Sequence, residues 1–250
     1  MMLIKAKQVI SKFLCCDLSR ASGRVSGRRC WCVCDSGISL IETIIVLVIV
    51  GIFLGCAFKG MEFIEQARLQ KVVTQIESYM AAVNAFKETY GYLPGDFPNA
   101  KSTWNKSDVE DGDGDGIIGG ALFEKGKDAS LFWSHLSCAG FIQGVDKKTD
   151  GIVYPSSALG GCFSVKYNPA EGMEGHWLVL GQESKGGAEG GLLTPAEAKF
   201  IEKKFGSADA MSGSFQVRKG SGVDIEFVKN GQYDTSIKKK ICVIYVFLSN

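Results

Sequence analysis

Gly37-Ile38-Ser39-Leu40-Ile41-Glu42-Thr43-Ile44-Ile45-Val46-Leu47-Val48-Ile49-Val50-Gly51-Ile52-Phe53-Leu54-Gly55-Cys56-Ala57-Phe58 decides the architecture of this 250-residue chain. The 21 positions from Ile38 to Phe58 match the ~20 apolar residues that carry a helix across a bilayer. β-Branched residues are frequent, yet a backbone in lipid must satisfy its own hydrogen bonds, which selects helix over an open strand. Glu42 is the one ionisable group of the carboxylate or basic type in the run. A carboxylate at the centre of an inserted helix costs about 2.5–3.5 kcal/mol, whereas each Ile, Leu, Val or Phe contributes about 0.3–0.6 kcal/mol. Fourteen such residues lie between Ile38 and Phe58, so the segment is expected to insert despite Glu42. The carboxylate still needs a reason.

The helical pattern continues past the membrane-length run. Leu69, Val72, Val73, Ile76, Met80, Val83, Phe86 and Tyr90 recur at helical spacing, with Glu65, Arg68, Lys71, Glu77, Lys87 and Glu88 between them, the mark of an amphipathic helix. No proline interrupts Ile38 to Tyr90, and Gly60 is the expected loose joint. The spacing therefore predicts one helix from 38 to 90, apolar all round in its first half and striped in its second. Gly51 and Gly55 form a G-x-x-x-G pair on one face, suited to close approach of a second helix as well as being ordinary membrane-helix glycines.

Charge and cysteine usage change at the same boundary. Residues 1–37 hold seven Lys and Arg against Asp17 and Asp35, a net of +5, whereas the whole chain carries only +1. A basic flank before a hydrophobic segment places that end in the cytoplasm, and the near-neutral total gives no reason to expect nucleic-acid binding. Cys15, Cys16, Cys30, Cys32 and Cys34 precede Gly37 in a spacing that lacks the C-x₂-C pairs of a structural zinc site. Cys138, Cys162 and Cys242 follow the apolar run; one disulfide is compatible with them, and spacing does not select the pair.

From Gly91 onward the chain reads as an α+β head. Gly91-Tyr92-Leu93-Pro94-Gly95-Asp96-Phe97-Pro98 ends the long helix. A short helix is expected over 129–142 and strands over 151–154, 162–167, 176–180, 214–218, 223–228 and 241–248. Thr194-Pro195-Ala196-Glu197 is a capping box with proline at the first helical position, opening a helix that Gly206 ends. The expected divisions are 1–37 leader, 38–58 membrane and assembly half of the helix, 59–90 amphipathic half, and 91–250 head. The expected fold is a long N-terminal helix packed against a loop-rich head with a small antiparallel sheet and two short helices.

Asp111-Gly112-Asp113-Gly114-Asp115-Gly116-Ile117-Ile118 has the alternating carboxylates and following glycine of the first half of an EF-hand loop. The twelfth position is Leu122 instead of the bidentate Glu, so a complete EF-hand loop is excluded. Asp111, Asp113 and Asp115, with Glu110 or Glu124 from outside the register, remain candidate calcium ligands, against the alternative of a polar Asp/Gly turn. No other cofactor is implied. Enzyme signatures are absent: there is no G-x-S-x-G and no Walker loop, and His135 and His176 sit in no metal-ligand pair and read as structural.

Gly37 followed by Ile38-Ser39-Leu40-Ile41-Glu42 and a long apolar helix resembles the class III signal of type IV prepilins and type II secretion pseudopilins. The head is similar to a prepilin-type subunit through Tyr92-Leu93-Pro94-Gly95-Asp96, Gly112-Asp113-Gly114-Asp115-Gly116 and the helix from Leu193 to Gly206. The resemblance implies a non-enzymatic filament subunit, cut between Gly37 and Ile38 by a prepilin peptidase that methylates the new amine. It implies a single-pass inner-membrane precursor with a cytoplasmic N-terminus and a periplasmic head, whose partners are the membrane, an inner-membrane assembly platform, and other copies or related pilin subunits. Glu42 becomes the fifth residue of the processed chain, placed to pair with the free amine of a neighbour's Ile38. Such a buried pair fixes register more than it stabilises. Three features depart from the pattern: Ile38 stands where Phe or Met is more usual, the leader of 37 residues is long, and the late membrane-half proline is missing. Phe53-Leu54-Gly55-Cys56 offers an alternative, a lipoprotein cut before Cys56 that carries a periplasmic binding domain; Glu42 and the amphipathic helix count against it.

Overall fold

The computed structural model describes residues 39–106, 109–147, 151–184, 186–206, 213–229 and 232–249. Gly37, Ile38 and the leader cysteines lie outside them. The chain divides into two compact units, Met1–Met61 and Glu62–Asn250. Helix α1 runs Leu40–Tyr90 for 51 residues, continuing through Gly60, which is an ordinary helical position and not a break.

In the first unit every described side chain from 39 to 56 is exposed. This part of α1 is long and apolar enough, by length and composition, to cross a membrane. In the second unit α1 turns amphipathic, and the predicted stripe is the one that is buried: Leu69, Val72, Val73, Ile76, Val83 and Phe86 enter the head's core, joined by Tyr79 and Ala82. Tyr79 meets Trp133 edge-on at 5.1 Å and Phe163 at 5.0 Å, so one ring joins α1 to a second helix and to the sheet. Gln75 adds a polar clamp: its Nε2 donates to the Ser156 carbonyl at 3.1 Å, and its Oε1 accepts the Ala158 amide at 3.2 Å.

The head contains helices α2 (Ala100–Trp104), α3 (Asp128–Cys138) and α4 (Pro195–Phe205). Its main sheet is antiparallel in the order β3 (Cys162–Tyr167), β4 (His176–Ser184), β9 (Cys242–Ser249), β6 (Phe215–Lys219), with β5 (Gly187–Gly190) paired to the end of β4 across an irregularity between Gln182 and Ser184. Central registers pair Phe163 with Leu180, Leu178 with Val246 and Val217 with Ile244. β4 is buried at six consecutive positions, so both of its faces are covered, as its unbroken apolar run requires. Two small ribbons complete the set, β1 (Asp146–Lys147) with β2 (Val153–Tyr154), and β7 (Val228–Lys229) with β8 (Gln232–Tyr233).

The α+β expectation is met, with local differences. α4 has its capping box in place, Glu197 N donating to Thr194 Oγ1 and Thr194 N to Glu197 Oε2, and ends at Gly206 in the left-handed region. α3 stops at Cys138 instead of 142 because Gly140 takes φ +80° and the Phe141 amide turns back to the Leu136 carbonyl. The strand expected over 223–228 is replaced by the β7–β8 hairpin, entered only at Val228. α2, β1 and β5 have no counterpart in the expected elements. Cys138 and Cys242 are free thiols, and Cys162 is buried within β3.

Candidate functional site

Two regions carry the residues singled out above. The first is the exposed start of α1. Glu42 lies in its first turn, its amide donating to the Ser39 carbonyl at 2.9 Å, and Thr43 Oγ1 donates to the Leu40 carbonyl at 2.8 Å. Around Glu42 the surface is apolar: Leu40, Ile41, Ile44, Ile45 and Val46 are all exposed. A Cβ placed on Gly51 or Gly55 would meet nothing within 4 Å. Within this chain neither glycine is required for packing, and being four residues apart they share one open face. Cys56 is exposed on the same continuous helix.

The second region is the Asp/Gly loop of the head, which backbone contacts fold onto the turn that follows α1. Gly112 N donates to the Phe97 carbonyl at 3.0 Å, and a Cβ on Gly112 would overlap the backbone of Gly95 and Asp96. This close approach explains a glycine at that position. Gly116 lies in the left-handed region at φ +84°, where a side chain would be strained. Its amide donates to Asp96 Oδ2 at 3.2 Å.

The consequence is a carboxylate cluster that differs in membership from the linear pattern. Asp96, Asp113 and Asp115 each bring one oxygen within 4.8 Å of the others. Asp113 and Asp115 are exposed, whereas Asp96 is buried. Asp113 Oδ1 accepts the Asp115 amide at 3.2 Å, and Asp115 Oδ1 accepts the Ile117 amide at 2.7 Å. Asp111 faces elsewhere, its Oδ1 accepting the Lys101 amide of α2 at 2.7 Å. An all-carboxylate donor set of this kind suits a hard cation. Asp96 is absent from the linear pattern because it lies among turn residues, 17 positions before Asp113, and only the fold brings the two together.

Electrostatics follow from this crowding. Burial raises the Asp96 carboxyl above its ordinary value, with Asp115 and Asp113 adding repulsion while the amides of Gly116 and Gly114 oppose it. Asp128, at the start of α3, is pushed up to about 6, first by burial and then by Asp113, with Asp96 and Asp115 contributing and the Gly119 amide opposing.

Two buried histidines hold the feet of this region. His135 Nδ1 accepts the Gly95 amide at 3.0 Å and its Nε2 lies 2.9 Å from the Glu110 carbonyl. His176 Nε2 accepts the Ile118 amide at 3.1 Å and its Nδ1 lies 3.3 Å from the Ser249 carbonyl. Each ring must be neutral to accept on one nitrogen and donate from the other, and burial lowers both pKa values accordingly. Both histidines are therefore structural cross-links, consistent with their isolation from metal-ligand patterns. Comparison of the chain with protein-family models, curated proteins and solved structures gave no significant match.

Proposed function

We propose that this chain is a structural subunit of a type IV pilus or of a type II secretion pseudopilus. It is cut by a prepilin peptidase between Gly37 and Ile38 and assembled through the first half of α1. The observation that carries the reading is the division of a single helix. From Leu69 onward α1 buries an apolar stripe in its own head, while every described side chain from 39 to 56 is exposed and nearly all of them are apolar. Such a surface needs lipid or other helices to cover it. In the membrane the bilayer does so; in a filament, neighbouring copies or related pilin subunits would.

Glu42 has a place in this scheme. In a bundle of such helices its carboxylate would face the methylated amine of a neighbour's Ile38 and fix the axial stagger, since an unpaired charge there would be costly. Gly51 and Gly55 supply an open small-residue face for close helix approach. The head would lie in the periplasm before assembly, with the inner-membrane platform as the assembling partner. No catalytic role is proposed.

Co-expression with a prepilin peptidase and its assembly platform, followed by electron microscopy with antibody against the head, tests the proposal. Labelled filaments are expected. A chain that is expressed and cleaved yet stays dispersed in the membrane, even with related pilin subunits supplied, would contradict it.

A further inference from the structure

We infer that Asp96, Asp113 and Asp115 form a binding site for a hard divalent cation, calcium in particular, which ties the turn leaving α1 to the Asp/Gly loop. The three oxygens lie within 4.8 Å of one another. Calcium takes its oxygen ligands at about 2.3–2.6 Å, so ligands on opposite sides of the ion are at most about 5 Å apart. The cluster therefore fits around one ion without rearrangement of the backbone. Magnesium, at about 2.0–2.1 Å with strict octahedral geometry and a reluctance to shed water, is less suited to an irregular loop site.

Asp96 supplies an independent indication. Its side chain is buried to 1 % exposure, and while Oδ2 accepts the Gly116 amide, Oδ1 has no hydrogen-bond partner among the described residues. A buried carboxylate oxygen is expensive to leave unsatisfied, and native structures rarely do so without an ion or water to complete it. Here the unsatisfied oxygen belongs to the buried member of the cluster whose exposed members, Asp113 and Asp115, open to solvent. That arrangement gives an ion an entry side and a fixed inner ligand. The remaining coordination positions fall to water, as is usual when protein ligands are few. Asp111 falls outside this cluster, with its Oδ1 turned to the Lys101 amide of α2.

The site belongs to the head alone and holds whether or not the chain assembles into filaments. Binding would neutralise the mutual repulsion of Asp96, Asp113 and Asp115 and that of Asp128 beside them. The loop between α2 and α3 would thereby be stiffened on the exposed side of the head.

The full-length chain, purified in detergent and stripped with chelator, is titrated calorimetrically with CaCl₂ and with MgCl₂ and melted in the presence of each. Saturable binding of one calcium and a higher melting temperature are expected, with a weaker response to magnesium. Asp96→Asn and the double variant Asp113→Asn/Asp115→Asn should each weaken calcium binding by about tenfold or more. Asp224→Asn, on an exposed loop elsewhere, should leave it unchanged. The double variant alters exposed side chains only, so it decides the matter should Asp96→Asn fail to fold. No heat and no thermal shift with calcium at about 10 mM, a regime covering the weakest calcium modules, would overturn the site. So would undiminished binding by the double variant.

Discussion

His135 and Gly95 stand 40 residues apart in the chain, and the imidazole Nδ1 accepts the glycine amide at 3.0 Å. The same ring reaches the Glu110 carbonyl from its other nitrogen. One neutral side chain in α3 therefore holds together the turn that presents Asp96 and the segment that leads into Asp111. His176 does the same at Ile118, where the Asp/Gly run ends. The acidic loop is thus fixed by two neutral, buried imidazoles.

Replacing His135 should therefore destabilise the head well beyond a surface change. His135→Ala removes both hydrogen bonds and leaves a void in a fully buried position, which is expected to cost about 2–4 kcal/mol. The pH dependence has a definite sign. Burial lowers the folded-state pKa below the ordinary 6.5, against a smaller opposing pull from the Glu110 carbonyl and Asp111. The unfolded chain then binds more protons, so this contribution is intact above pH 6.5 and is lost as pH falls through the window beneath it. Urea unfolding at several pH values should show His135→Gln flattening that window relative to the parent.

Asp128 acts in the opposite direction. Its carboxyl is raised from 3.8 to about 6, so the folded head binds the extra proton and this group's contribution falls as pH rises from about 4 to 6. In chelator, Asp128→Asn should stabilise the head at pH 7 by up to about 3 kcal/mol, with the gain vanishing near pH 4. Denaturant midpoints for the two proteins across that range check the prediction.

The two halves of α1 should respond differently to the same truncation. Phe86 is fully buried among Tyr90, Phe97, Trp104 and Phe141, so Phe86→Ala is expected to cost the head about 3–5 kcal/mol. Phe53 is exposed, and Phe53→Ala should change the head's unfolding by no more than about 0.5 kcal/mol. Chemical denaturation followed by tryptophan fluorescence, which reports on Trp133 in the core, separates the two outcomes.

Glu42→Gln should leave membrane insertion and head stability unchanged while sharply reducing filament yield. The substitution removes the charge and nearly preserves shape, so a loss of assembly would locate the effect in pairing with a neighbour's amine. Sheared-filament yield measured against the membrane-bound pool gives the comparison.

Much of the fold was legible because its signals are local. The apolar spacing from Leu69 to Phe86 is the stripe that packs into the head, the capping box begins α4 at Pro195, and β3 spans Cys162–Tyr167 as its β-branched and aromatic content suggests. What escaped depends on partners distant in sequence. β5 is Gly187-Ala188-Glu189-Gly190, a segment of poor strand propensity that pairs with the end of β4 running on past its partners β3 and β9. Asp96 escaped for the same reason. It reads as a turn residue until Gly112 brings the Asp/Gly loop against it, after which it is the buried member of the cluster. The linear EF-hand pattern groups Asp111 with Asp113 and Asp115, whereas in the folded head it is Asp96 that lies beside the latter two.

The central claim is that the apolar half of α1 becomes an assembly surface after processing at Gly37. The mass of the N-terminal peptide, taken from chain co-expressed with a prepilin peptidase, tests it most directly. A processed chain beginning at an N-methylated Ile38 is predicted. An uncut N-terminus in the presence of active peptidase, or a chain beginning at a lipid-modified Cys56, would contradict it.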